Sequence, residues 1–266
     1  MELLGRAVPP PQLFPFLVKF LDCHELLSIQ VHPSDQFARE LLGEPSGKSE
    51  AWVVVEAEPG ARIYAGLLPG TTRATVEALL DAGRLAEGLH GFVPKAGDCL
   101  FLPAGTVHAA GGGVLLAEVE QPSDATFRLF DWNRLASDGK PRPLHREEAL
   151  RSIDWSAGPV RPVSAAPIER LPSGVRGEHL VACAYFALDR FWLAGSLAMP
   201  YPGRLSIWLV LEGSAELAST SGPYRRWFRA GETVLIPASA EGLGWGPAAG
   251  SGPATLLAVR EGSLGT

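Results

Sequence analysis

Residues 96–108 read Ala96-Gly97-Asp98-Cys99-Leu100-Phe101-Leu102-Pro103-Ala104-Gly105-Thr106-Val107-His108, and the nine residues at the head of that run have a gapless counterpart in Ala230-Gly231-Glu232-Thr233-Val234-Leu235-Ile236-Pro237-Ala238. In each copy a Gly and an acid make a turn and a short apolar strand follows. Pro then ends the strand, because it brings no N–H to a ladder. A turn, strand and stop that recur as one block predict a single β design used twice along the chain.

The rest of the sequence fits a mainly β protein. Its 30 Gly and 23 Pro make up about a fifth of the 266 residues, a density of turn formers that suits short strands and excludes an all-helical bundle. With 46% hydrophobic and 20% charged residues there is enough apolar side chain for a core, which excludes a disordered chain. After a proline-rich start (Pro9, Pro10, Pro11), strand-length runs are predicted at 26–31, 52–56, 63–65, 99–102 and 114–119. Ser34 is placed to cap a helix that has Phe37 and Leu41 on one face and Gly43 at its end. Residues 71–89 carry a second helical pattern, with Val76, Leu79 and Leu80 on one side and a break near Gly83. Residues 151–177, with several Pro, Gly, Ser and Ala, read as the connection between two domains, 1–160 and 161–266. Further strand-like runs are predicted at 180–188, 191–197, 207–211, 227–228 and 233–236, and core packing is the expected role of the tryptophans.

A net charge of −6 without any long Lys/Arg run leaves no footprint for a nucleic acid, so small solutes are the expected partners. Cys23, Cys99 and Cys183 are odd in number and far apart, which argues against a disulfide framework and a thiolate zinc site and for a reducing, cytoplasmic location. The most apolar early stretch, 13–21, contains Lys19 and is shorter than the roughly 18 residues a spanning helix needs, so no membrane span is expected.

Several polar residues stand where strands place them in pairs. Gln30 and His32 are two apart on a strand and face one side. They form either a hydrogen-bonded core pair or two ligands of a cation, through an amide oxygen and an imidazole nitrogen. Lys48 and Glu50 lie two apart at the head of the next strand, where a solvated ion pair is the alternative to an inward one. His108, just after a turn, is by itself a loop histidine. Glu118 and Glu120 alternate on one strand, and an inward Glu118 is costly without a cation beside it. Arg128 has two readings, a salt bridge to Asp124 or Asp131, or a planar fork of donors free to hold a ligand's oxygens. His24, His90, His145 and His179 have no partner pattern and read as surface or loop residues, with 145–150 a packing helix.

Gly97, Pro103, Gly105 and His108 keep the spacing G-x5-P-x-G-x2-H, which is similar to the second sequence motif of cupin barrels. Pro15-Phe16-Leu17-Val18-Lys19, Leu27-Ser28-Ile29-Gln30-Val31-His32-Pro33, Gly47-Lys48-Ser49-Glu50, Pro103-Ala104-Gly105-Thr106-Val107-His108-Ala109 and Ser123-Asp124-Ala125-Thr126-Phe127-Arg128-Leu129-Phe130-Asp131-Trp132 occur in that order. Together they resemble type I mannose-6-phosphate isomerases, a zinc-dependent cupin family, over about residues 12–155. The resemblance implies a double cupin, two jelly-roll-like β-barrels with a few short helices in the N-terminal part. It further implies one Zn²⁺ held by Gln30, His32, Glu50 and His108, a catalytic Arg128, and interconversion of mannose 6-phosphate and fructose 6-phosphate through an enediol. Lys48, Glu118 and a metal-bound water are the candidate proton carriers, and Lys48 is also a candidate phosphate contact. The alternative is a non-catalytic, zinc-stabilised cupin that binds sugar phosphates. An iron-dependent cupin dioxygenase leaves Lys48, Arg128 and Gln30 without a role.

Two departures carry expectations of their own. Family members have several dozen residues ahead of the Gln-x-His strand, including Trp-Gly-Gly and Gly-Glu-x-Trp segments, whereas Gln30 stands near the start here. The barrel is therefore expected to lack the strands that segment contributes. In the second copy of the motif Ser239 replaces the Gly and Gly242 replaces the His, and no His follows His179, so the second barrel is expected to be degenerate and free of metal.

Overall fold

Ser34 ends one element and starts the next: its hydroxyl accepts the Phe37 N–H at 3.3 Å, and the helix that follows stops at Gly43 with φ 71°. This is the capped helix expected from sequence. The computed structural model describes residue 3 and residues 14–262, so the three prolines at 9–11 lie outside the described residues. The chain divides into two compact units, Leu17–Val163 and Ser164–Thr266 with Met1–Phe16.

The first unit runs β1 (Leu17–Cys23), β2 (Ile29–Val31), α1 (Asp35–Leu42), β3 (Glu50–Ala57), β4 (Arg62–Leu67), α2 (Arg73–Asp81), β5 (Leu89–Phe92), β6 (Cys99–Leu102), β7 (His108–Gly111), β8 (Val114–Glu120), β9 (Phe127–Phe130) and α3 (Arg146–Ser152). Two antiparallel sheets form, in the orders β1-β8-β3-β6 and β5-β4-β7-β2-β9. The outer face of the second sheet buries Ile29, Val31, Val107, Phe127 and Leu129 with Val76, Ala149 and Leu150 of the helices. Trp52, Val54, Ile63, Ala65, Leu102 and Leu116 fill the space between the sheets. Burial of each Val, Leu, Ile or Phe among them stabilises the fold by about 1.5–3 kcal/mol. Residues 71–89 are helical only to Asp81; a turn at Gly83, φ 66°, and a short 3-10 helix, Leu85–Gly88, follow.

Among the described residues, the regular elements of the second unit are all strands: β10 (Ala166–Pro167), β11 (Val175–Ala182), β12 (Phe186–Leu193), β13 (Leu197–Ala198), β14 (Ser206–Glu212), β15 (Ser214–Ser219), β16 (Arg225–Arg229), β17 (Thr233–Ile236), β18 (Leu243–Pro247) and β19 (Ala254–Glu261). They make a six-stranded sheet, β10-β11-β12-β19-β14-β17, and a four-stranded one, β13-β18-β15-β16, around Phe191, Trp208, Trp245 and Leu256. The expected runs 180–188 and 191–197 straddle a tight turn. Cys183 N–H donates to Phe186 O at 3.0 Å and closes a β11-β12 hairpin, so the true strands lie four to six residues earlier in the chain. The tryptophans divide: Trp52, Trp208 and Trp245 are core residues, but Trp155 and Trp227 are exposed.

The repeated motif has the same backbone in both units. Gly97 donates to Val54 O and Val54 to Asp98 O, both at 2.8 Å; Gly231 donates to Val210 O at 2.9 Å and Val210 to Glu232 O at 3.0 Å. Each Gly sits at positive φ, 91° and 86°, where a side chain is strained. Among the described residues, no helix is long and apolar enough to cross a membrane.

One loop in the first unit is fastened by charge. The Asp131 carboxylate accepts from Arg142 Nε at 2.7 Å and from Arg134 at 2.6 Å. The hydrogen bonds from Arg142, against the opposing effect of burial, and those from Arg134 hold its pKa down at about 2. Because the folded value lies below the ordinary 3.8, this contribution is present above about pH 4 and is lost as pH falls toward 2. Asp131→Asn is expected to lower unfolding free energy by about 2 kcal/mol at neutral pH, with the gap to the parent closing in melts run near pH 2.

Candidate metal centre

Strand alternation sends Ile29 and Val31 to the helix side, so Gln30 and His32 face the other sheet. Register then builds a row across three strands: Gln30 of β2 lies opposite His108 of β7 on one side and Arg128 of β9 on the other. His108 is thus the first residue of a strand rather than a loop residue. Thr106 N–H donates to Pro103 O at 3.1 Å and Gly105 N–H to His32 O at 2.8 Å, and this tight turn delivers His108 straight into pairing. From the facing sheet, Glu50 at the head of β3 sits between Glu120 of β8 and Leu102 of β6.

His32, Glu50 and His108 converge in the buried interior. His32 Nδ1 lies 2.8 Å from Ala125 O and His108 Nδ1 lies 2.9 Å from Thr106 O. A carbonyl only accepts, so each Nδ1 carries the proton and each Nε2 presents a lone pair. Those lone pairs point at a carboxylate: His32 Nε2 is 3.4 Å from Glu50 Oε2, and His108 Nε2 is 3.1 Å from Glu50 Oε1. Burial drives the His108 pKa down to about 4, and the nearby His32 adds to this against the pull of Glu50, so its ring is neutral at pH 7. Burial opposes ionisation of Glu50, and the Lys48 ammonium 3.4 Å away favours it.

Lone pairs facing an ionised carboxylate without a proton between them call for a cation. His32 Nε2 and both Glu50 oxygens are buried without a hydrogen-bond partner, the costly condition that a metal relieves. Tetrahedral bonds of 2.0–2.1 Å put neighbouring ligand atoms about 3.3 Å apart, the scale of the separations just given. Gln30 stands beside them, its amide nitrogen 3.3 Å from His108 Nε2 and its amide oxygen 3.5 Å from Ser28 Oγ.

Lys48 and Glu118 also lie in this interior. Lys48 Nζ is 2.9 Å from Glu120 and 3.4 Å from Glu50; burial pulls its pKa down, but Glu50, Glu120 and Glu118 together raise it. Glu118 takes the Trp52 indole N–H at 2.8 Å, and burial, followed by the charges of Glu50 and Glu120, pushes its pKa up to about 8. Glu50, Glu118 and Glu120 form a second acidic trio, which already has ammonium partners in Lys19 and Lys48. Arg128 pairs with neither Asp124 nor Asp131. Its NH1 donates to Pro143 O at 3.1 Å, and its buried Nε has no hydrogen-bond partner.

Four residues stand in or beside this interior without a role assigned to them from the sequence. Lys19 of β1 reaches Glu120 and lies 3.5 Å from Glu118; a lone charge inside an apolar run was the available signal. Glu120 meets both lysines. His145, read as partnerless, brackets Arg128: its N–H donates to Arg128 O at 2.8 Å, and its Nδ1 accepts the Arg128 N–H at 3.2 Å. Gln121 accepts the Ser49 N–H at 2.8 Å and donates to Asp35 at 2.9 Å, while Asp35 accepts the Gly47 N–H at 2.8 Å. This clamp sets the segment that carries Lys48 and Glu50. A Cβ on Gly47 would lie 2.4 Å from Ser34 C and 2.5 Å from Pro33 O, both backbone. Gly47→Ala is therefore expected to cost about 3 kcal/mol in denaturant melts, the upper end of overpacking effects, and to loosen metal binding with it.

Facing antiparallel sheets that close on an interior His, Glu and Gln cluster define a cupin-like β protein with a metal-competent centre. Over 225 residues the chain is 34% identical to the mannose-6-phosphate isomerase ManA of Bacillus subtilis, covering 84% of this chain and 69% of the relative. It is 31% identical over 236 residues to the mannose-6-phosphate isomerase of Streptococcus mutans, covering 89% and 72%. The chain belongs to the mannose-6-phosphate isomerase family of enzymes. The crystal structure of mannose 6-phosphate isomerase from Bacillus subtilis superposes with a TM-score of 0.82 at 29% identity, over 93% of this chain and 75% of that one. No protein-family model matches the chain.

Proposed function

We propose that this chain is a Zn²⁺-dependent aldose-ketose isomerase that interconverts mannose 6-phosphate and fructose 6-phosphate. Support comes from the Nε2 atoms of His32 and His108 aimed at the Glu50 carboxylate, and from the relatives' names. The first of these carries the reading, because a cation there takes up the His32 Nε2 and Glu50 oxygen lone pairs, which have no hydrogen-bond partner. Gln30, His32, Glu50 and His108 hold the ion, a nitrogen and oxygen set suited to zinc. When bound, Zn²⁺ stabilises negative charge developing on the sugar oxygens.

The remaining roles fall to side chains around it. Arg128, in register with Gln30, turns a planar fork of donors toward the sugar or phosphate oxygens and offsets charge on the enediolate. Glu118, oriented by Trp52, and Lys48, fixed between Glu120 and Glu50, are the proton carriers between C1 and C2. The coupled assay of fructose 6-phosphate formation from mannose 6-phosphate tests the proposal with zinc-loaded protein. Absence of turnover in zinc-loaded, folded protein would favour the non-catalytic sugar-phosphate binder instead.

A further inference from the structure

Glu120 belongs to neither the ligand set nor the proton carriers, yet it is fully buried at the middle of the charge network. Its Oε1 meets Lys19 Nζ, and its Oε2 is 2.9 Å from Lys48 Nζ. Each ammonium has one further acid, Glu118 for Lys19 at 3.5 Å and Glu50 for Lys48 at 3.4 Å. The five groups form one compact cluster, in which Lys19 bridges Glu118 and Glu120 and Lys48 bridges Glu120 and Glu50. Register fixes the central acid, because Glu120 is paired with Leu17 on one neighbouring strand and Glu50 on the other.

This arrangement matters for Glu50. Lys48 already lies within ion-pair distance of Glu50 Oε2, one of the oxygens that faces His32. An ammonium that closed on Glu50 would occupy the lone pairs a cation needs. The shorter of the two Lys48 contacts is the one to Glu120, which draws the ammonium away.

We propose that Glu120 is a positioning residue: it holds Lys48 off the Glu50 carboxylate and ties it to Lys19, which keeps Glu50 free to bind a divalent cation. This deepens the metal reading given above and rests on it. Glu120→Gln keeps the shape and removes the charge, so Lys48 turns to Glu50. Zinc affinity, measured by competition with a chromophoric chelator, then falls by about 10-fold to 100-fold, the size seen when groups supporting metal ligands are changed. Glu120→Asp keeps the charge and recovers most of that loss. In a Lys48→Met background, Glu120→Gln leaves zinc affinity unchanged, since no ammonium remains to compete. This double variant also removes both partners of a buried pair, and so reports even where Glu120→Gln alone fails to fold.

Zinc affinity in Glu120→Gln equal to that of the parent overturns the inference, as does an equal loss with and without Lys48. A parent that binds no zinc overturns the metal reading together with it. A parent that binds zinc without isomerase turnover, but shows the Lys48-dependent effect, supports the positioning role and sinks the isomerase proposal alone.

Discussion

Glu50→Gln is expected to strip the metal from the protein. Purified without chelator, the parent should carry about one divalent ion per chain and the variant almost none, a loss in affinity of more than about 100-fold. Glu50 is the sole anion of the proposed ligand set, and Gln keeps its volume, so packing is not what changes. Melting temperatures give a second readout, because an ion that binds only the folded state stabilises it by mass action. A chelator should therefore lower the melting temperature of the parent and leave that of the variant where it is. Zinc retained at the parent level by a His32→Ala, His108→Ala double variant would place the ion elsewhere.

Arg128→Lys should keep the fold and the metal while turnover falls by about 100-fold to 1000-fold. An ammonium is a point charge, whereas the guanidinium presents planar, paired donors to two oxygens at once. The structure sharpens this expectation, since the acid that an ordinary structural role would require is already taken: Asp131 is satisfied by Arg134 and Arg142. Arg128 instead has its backbone held on both sides by His145 and its Nε unpaired. The coupled isomerase assay, with metal content measured on the same samples, checks it. Turnover equal to the parent would reduce Arg128 to a loop contact through Pro143.

The longer form of these relatives bears on the same measurements. This chain matches 69% and 72% of the lengths of the Bacillus and Streptococcus isomerases, and the interior His, Glu and Gln set, Lys48, Glu118 and Arg128 all lie within what it does contain.

Local chemistry was legible without any structure. The Ser34 and Gly43 caps mark a helix through hydrogen bonds and a left-handed residue that span only a turn. The two Gly-acid-strand-Pro blocks mark β turns for the same reason, and period-two alternation puts Gln30 with His32 and Glu118 with Glu120 on common faces. Where a signal is spread thinly, as in the β11-β12 hairpin, a run of apolar residues conceals the turn. What sequence could not decide is which face meets which. The ion pair between Lys19 and Glu120 joins residues 101 apart, and Trp52 finds Glu118 at a separation of 66. The choice of Lys19 and Lys48 as counter-ions, the turn of Arg128 away from Asp131, and the His108, Gln30, Arg128 row all follow from strand order in two sheets. The residue types and their alternation were set by the sequence alone. Tertiary structure decided their partners, because buried charges must pair and only the sheet topology determines which opposite charge lies within reach.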